Sequence, residues 1–163
     1  MKDRAAWWKG ARGEWYVVVQ GLILALIALG PRTAFGLPEW PPALTTVSTS
    51  AAWILLALGA GASIVAVLHL GPNLTPLPHP KDEATLVESG LYGVVRHPIY
   101  CALILMAFGW ALFVQGWLTL AYAALLFVFF DIKSRREEAW LMARFPDYAA
   151  YRQRVRKLIP FLY

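Results

Sequence analysis

Cysteine is nearly absent from this chain. A single thiol, Cys101, excludes an internal disulfide, and no CxxC or Cys/His pair stands at zinc-ligand spacing, so no metal is expected. Acidic residues are also scarce: ten Asp and Glu against fifteen Lys and Arg leave a net charge of +5. That balance suits a nucleic-acid binder, but the basic residues flank apolar runs, as they do in membrane proteins that follow the positive-inside rule. No nucleic-acid partner is therefore expected. A phosphate-cradling loop is lacking as well, because GAGAS (Gly59–Ser63) has no third glycine and lies inside an apolar run. Its small residues are better suited to close helix approach. The N-terminal flank carries no small-residue cleavage site behind a short apolar core, which favours a retained flank over a cleaved signal.

What is abundant is hydrocarbon. A hydrophobic content of 59% over 163 residues points to an all-α integral membrane protein of one domain. Four spans are expected. The first runs from about Val17 to Leu29 and stops at Gly30 and Pro31; Trp7, Trp8, Trp15 and Tyr16 precede it as interface anchors. The second extends from about Ala43 to Leu70. The third and fourth share Ile99 to Ile132 and break near Gln115 and Gly116, which implies a tight helical hairpin with Trp110 and Trp117 at the outer interface. Residues 1–70 thus supply two spans, and 71–163 a polar loop, the hairpin and a C-terminal helical segment. On this scheme Arg32 is the one basic residue in an outer loop, and the remaining fourteen place both termini in the cytoplasm.

The long connection from Gly71 to Arg96 begins with Pro72, Pro76, Pro78 and Pro80, which forbid a regular helix there. Loops of that length commonly carry function. This one ends in TLVESGLYGVVRHPIY (Thr85–Tyr100), which sets Tyr92, Arg96, His97 and Tyr100 against the start of the third span. Pro98 disfavours helical geometry at His97 and fixes the turn into the span. A second polar cluster, KSRREEAW (Lys133–Trp140), follows the fourth span. If the intervening segments form a hairpin, both clusters return to one membrane face and can build one site. The plain alternatives are Arg96 snorkelling to lipid phosphate and a solvated i,i+4 pair between Lys133 and Glu137. Carboxylates emerging from a span need cations or water, and a cationic cofactor would satisfy Glu137 and Glu138. Cys101 is expected to be inert, and His69 and His79 have no evident partner. Beyond Lys133 the chain keeps a helical periodicity that Pro146 should interrupt, and Leu158–Tyr163 either folds back on the protein or meets lipid.

The combination of LVESGLYGVVRHPIY with EEAWLMARFPDYAAYRQRVRKLIPF resembles the isoprenylcysteine carboxyl methyltransferase family and its wider relatives, including phospholipid methyltransferases. The resemblance covers about Asn73 to Tyr163. It implies an S-adenosylmethionine-dependent enzyme at the cytoplasmic membrane face, acting on a lipophilic or lipid-modified acceptor such as an isoprenylcysteine-like carboxylate. It implies donor contacts from Ala84, Thr85, Leu86 and Val87, from Tyr92, and from His97, Pro98, Ile99 and Tyr100, with Glu137 and the adjoining Glu138 on the other side. Lys133 stands where carboxyl methyltransferases of prenylated proteins carry an arginine for the acceptor carboxylate, and Arg135 or Arg136 is the alternative replacement for that arginine. Lys133, Arg136 and Glu137 are accordingly the expected catalytic group. A second departure is FPDYAAY from Phe145, which is one residue shorter than the family's usual spacing. A bacterial or archaeal inner membrane is the expected location. Two rivals remain at this level: a reductase of the sterol reductase type, whose nicotinamide phosphate would need a basic pocket, and a non-catalytic membrane scaffold.

Overall fold

The structure, a computed structural model, describes residues 10, 12–34 and 36–163, so Trp7 and Trp8 lie outside the described residues. Within them the regular elements are helical: α1 (Glu14–Leu29), α2 (Thr45–Leu70), α3 (Pro98–Phe113), α4 (Trp117–Arg144) and α5 (Tyr148–Arg154), with short 3₁₀ turns between some of them. The α2 helix with its flanking turns, Pro42–Asn73, and α4, Trp117–Arg144, are long and apolar enough to cross a membrane. At 16 residues each, α1 and α3 are apolar but shorter.

The hydrocarbon core forms where α1, α3 and α4 meet, from Ile23, Ile27, Ile104, Leu126 and Phe130. Outward faces stay apolar: Leu22, Trp53, Leu58, Ile64 and Leu68 are exposed, as expected where lipid rather than water is the solvent. The most extensive contact joins α2 to α3, and GAGAS explains its closeness only in part. A Cβ on Gly59 would lie 2.6 Å from Met106 Cγ and 2.8 Å from the Ala102 carbonyl, whereas nothing approaches Gly61 within 4 Å. Gly59→Leu is expected to lower stability by about 1–3 kcal/mol through overpacking, with Gly61→Leu near neutral. Thermal unfolding of the two variants in one detergent checks this, and equal midpoints would remove the packing role.

Val114–Gly116 forms the turn between α3 and α4, with Gln115 at φ 50° and its side-chain amide donating to Ser48 Oγ at 3.2 Å. At the same level, Trp110 Nε1 donates to the Ile27 carbonyl at 3.0 Å and Trp117 Nε1 to the Pro38 carbonyl at 2.9 Å.

The helical periodicity expected beyond Lys133 continues the fourth span without a break: α4 runs past Ile132 through the polar cluster to Arg144, because no residue from Asp131 to Arg144 breaks a helix and Pro146 is the first that can. The tail then returns to the body. Arg96 N donates to the Arg156 carbonyl at 2.8 Å and His97 N to the Lys157 carbonyl at 3.1 Å, around a parallel bridge between Val95 and Arg156. Leu158 is thereby buried in the core, while Phe161 and Leu162 remain 83% and 78% exposed. Of the two alternatives for the tail, folding back on the protein is realised by Leu158.

Candidate active site

Helix α3 begins at Pro98 because His97 has the non-helical backbone expected before proline (φ −122°, ψ 65°). That turn sets the His97 ring beside Tyr100. The rings of His97 and Tyr100 stack at 5.3 Å between centroids and 4° between planes, and Tyr100 stacks on Phe130 of α4 at 4.4 Å and 9°. The Tyr100 hydroxyl donates to Glu137 Oε2 at 2.7 Å, so the two polar clusters, 37 residues apart, close on one another.

Successive residues on α4 are rotated by about 100°, and this rotation sorts the second cluster. Lys133 and Glu137 share one face and line a cavity of about 360 Å3. Its remaining walls come from Ala84, Thr85, Leu86 and Val87 of the long loop, from Tyr92, and from His97, Pro98, Ile99 and Tyr100. Arg136 and Glu138 fall to either side of that face. Arg136 is exposed and stacks over Trp140 at 4.5 Å; the structure does not bring it to the cavity wall. Glu138 is also absent from the wall, but lies just behind it. Buried to 3% exposure, it accepts from Arg96 Nε at 2.8 Å and lies 3.1 Å from His97 Nε2. Arg96 also donates to the carbonyls of Arg152 and Val155, which ties the tail to the same carboxylate.

Lys133 is 1% exposed and has partners that the sequence did not signal. Its ammonium donates to Gln20 Oε1 of α1 at 2.6 Å and to the Pro76 carbonyl at 3.0 Å, and sits 5.1 Å from the Tyr100 ring centre. Gln20 was visible only as the single polar interruption of the first apolar run. The Pro76 carbonyl had no signal at all, since a backbone acceptor depends on the path of the loop. That path is itself held down: Asn73 and Thr85 exchange two hydrogen bonds, and Arg144 donates to the Asp82 carbonyl. Gly90, at φ 61°, lies so close to His69 that a Cβ there would come within 2.3 Å of the ring. His79, for which the sequence shows no evident partner, donates from Nδ1 to the Pro80 carbonyl at 2.8 Å and meets the Trp140 ring edge-on.

Tyr148 and Tyr151 of α5 complete the far wall, and Tyr151 donates from its hydroxyl to the Tyr92 carbonyl at 2.6 Å. Burial pushes the Tyr92 phenol well above its ordinary value, with the Glu137 charge adding to the effect, and burial raises Tyr148 and Tyr151 likewise. All three therefore stay neutral hydroxyls at physiological pH. The resulting chamber has aromatic and aliphatic walls, one carboxylate and one ammonium on adjacent turns of one helix, and few other charges. Such a volume and lining suit a small organic ligand. The Glu137 carboxylate offers a place for positive charge, and Lys133 a place for negative charge.

Comparison with known proteins agrees with the fold and narrows the chemistry. Residues 47–147 match the family model described as phospholipid methyltransferase. The protein-S-isoprenylcysteine O-methyltransferase of Schizosaccharomyces pombe is 28% identical over 161 residues, covering 93% of this chain and 68% of that protein. The cobalt-zinc-cadmium resistance protein CzcN of Cupriavidus metallidurans is 31% identical over 152 residues, covering 92% of this chain and 63% of that protein. Among solved structures, the eukaryotic intramembrane Ras methyltransferase ICMT (isoprenylcysteine carboxyl methyltransferase) superposes with a TM-score of 0.55 at 21% identity, over 91% of this chain and 63% of that one, a likeness of fold. The chain thus spans about two thirds of the length of these relatives.

Proposed function

Because this chain belongs to the phospholipid methyltransferase family, with isoprenylcysteine-methyltransferase-like relatives, we propose that it is a membrane methyltransferase that takes its methyl group from S-adenosylmethionine and passes it to a lipophilic acceptor. One observation carries the reading: the Tyr100–Glu137 hydrogen bond of 2.7 Å, which brings the two polar clusters together on the wall of a cavity of about 360 Å3. In this reading one membrane domain holds everything, with 1–70 supplying two spans and 71–163 the site. All four long helices cross the bilayer, α3 and α4 as a hairpin, and both termini lie in the cytoplasm.

The donor, when bound, supplies a methyl group activated on a positively charged sulfonium, for direct displacement by the acceptor. The protein needs no covalent intermediate for such a transfer and contributes mainly alignment. The residues fit that task. Glu137 takes up positive charge, and Tyr92, His97, Pro98 and Ile99 with the strap Ala84–Val87 exclude water around it. Glu138, set behind the wall, positions His97 and does not touch the ligand. Lys133 orients an anionic acceptor head, such as the carboxylate of an isoprenylcysteine-like molecule, and exchanges Gln20 or Pro76 for it as partner.

The test is incubation of the purified protein with labelled S-adenosylmethionine and a native lipid extract, followed by mass identification of the labelled product. A labelled lipophilic product supports the proposal; no label in any lipid, together with no donor binding, overturns it. Lys133→Met is then expected to lower kcat/KM about tenfold to a hundredfold, the equivalent of the ~1.5–3 kcal/mol of one hydrogen bond to a charged group. Donor affinity should be unchanged and Lys133→Arg should restore part of the loss. A Lys133→Met enzyme as fast as the parent would remove the anionic acceptor from the proposal.

A further inference from the structure

Behind the cavity lies a second pocket, of about 480 Å3, on the other side of Arg96. Five cations line it: Arg96, Arg135, Arg152, Arg156 and Lys157. The carboxylates that touch them are Glu138, held by Arg96 and 3.5 Å from Arg152, and Asp131, held by Arg135 and Lys157. Five cations against two carboxylates leave three positive charges uncompensated. Arg156 is exposed, and its guanidinium has no hydrogen-bond or ion-pair partner among the described residues. Positive charge concentrated in this way attracts an anion.

The surroundings say which anion. Leu125, Val128 and Ile132 are exposed and follow one another at helical spacing along the outside of α4, and Arg135 comes next on the same stripe. Leu162, 78% exposed, lines the pocket beside Tyr163, and Phe161 projects next to it. The cations thus sit where an apolar stripe ends, with hydrocarbon-compatible surface leading to them. A soluble anion would use the arginines but not the stripe. We propose that this pocket binds the phosphate of an anionic phospholipid whose acyl chains lie along Leu125, Val128 and Ile132, at a site separate from the cavity between Glu137 and Lys133.

The experiment is native mass spectrometry of the full chain in the presence of phosphatidylglycerol, phosphatidylcholine or inorganic phosphate. Phosphatidylglycerol is expected to be retained preferentially. Arg156→Gln should weaken that retention about fivefold, and Arg152→Gln with Arg156→Gln about twenty-five-fold, following the roughly constant contribution of each basic residue near anionic lipid. Lys81→Gln, which removes an exposed cation bonded to the Pro72 carbonyl in the long loop, should leave it unchanged. An unaltered thermal midpoint in phosphatidylcholine shows that the variants are folded. Equal retention of the two lipids, an unaffected double variant, or an equal loss with Lys81→Gln would overturn the proposal. So would displacement of phosphatidylglycerol by inorganic phosphate, which would reassign the pocket to a free anion.

Discussion

Glu138→Ala is expected to destabilise the protein by about 3–5 kcal/mol, the usual consequence of removing one partner from a buried ion pair. The size follows from what remains. Arg96 and His97 have side chains 8% and 5% exposed, and both direct a nitrogen at the same carboxylate oxygen. Without it, a guanidinium that cannot lose its charge is left buried against apolar walls. Arg96 also holds the carbonyls of Arg152 and Val155, and its backbone pairs with Arg156, so the tail should loosen together with the start of α3. Thermal unfolding in detergent and hydrogen exchange at Arg96, His97 and Leu158 measure the two effects. Glu138→Gln keeps the shape and one acceptor and should lie between alanine and the parent. By contrast, loss of the exposed Arg154–Glu88 pair should change stability by no more than about 1 kcal/mol. A Glu138→Ala midpoint equal to that of the parent would show that the carboxylate does not hold this corner together.

The same corner marks how far the sequence could be read. The apolar helices, the turn at Gln115 and the meeting of Tyr100 with Glu137 were legible, because apolar run lengths and the number of intervening segments determine which helix ends return together. The close approach at Gly59 was legible as a motif, but only contact geometry separates Gly59 from the open Gly61. The helical periodicity beyond Lys133 was legible too, whereas its unbroken continuity with the fourth span was not, because the change from apolar to polar there marks only a change of surroundings along one helix. Glu137 and Glu138 looked like a pair acting together. On a helix, neighbours point about 100° apart, and here one faces the cavity while the other faces the tail. The partners of Lys133 were out of reach, since Gln20 lies 113 residues away and the Pro76 carbonyl carries no side-chain signal.

Glu137→Gln is expected to weaken S-adenosylmethionine binding about tenfold to a hundredfold while leaving the fold intact. The prediction differs from that for Glu138 because the surroundings of the two carboxylates differ. Glu137 accepts one strong hydrogen bond, from Tyr100, and its Oε2 is 3.8 Å from His97 Nδ1, too far for a second. Glu137 also lines the cavity, so an incoming cationic group can gain a charge-assisted hydrogen bond there. Glutamine keeps the shape and the Tyr100 contact but removes the charge, which corresponds to the ~1.5–3 kcal/mol of one charged hydrogen bond. His97→Ala should weaken binding as well, through the lost stack on Tyr100 and the unsupported wall, but with a fall in thermal midpoint that Glu137→Gln does not share. Calorimetric titration of both variants beside Glu138→Gln separates the contributions: affinity should follow Glu137, stability should follow Glu138, and His97 should move both. Unchanged donor affinity in both Glu137→Gln and His97→Ala would place the methyl donor elsewhere.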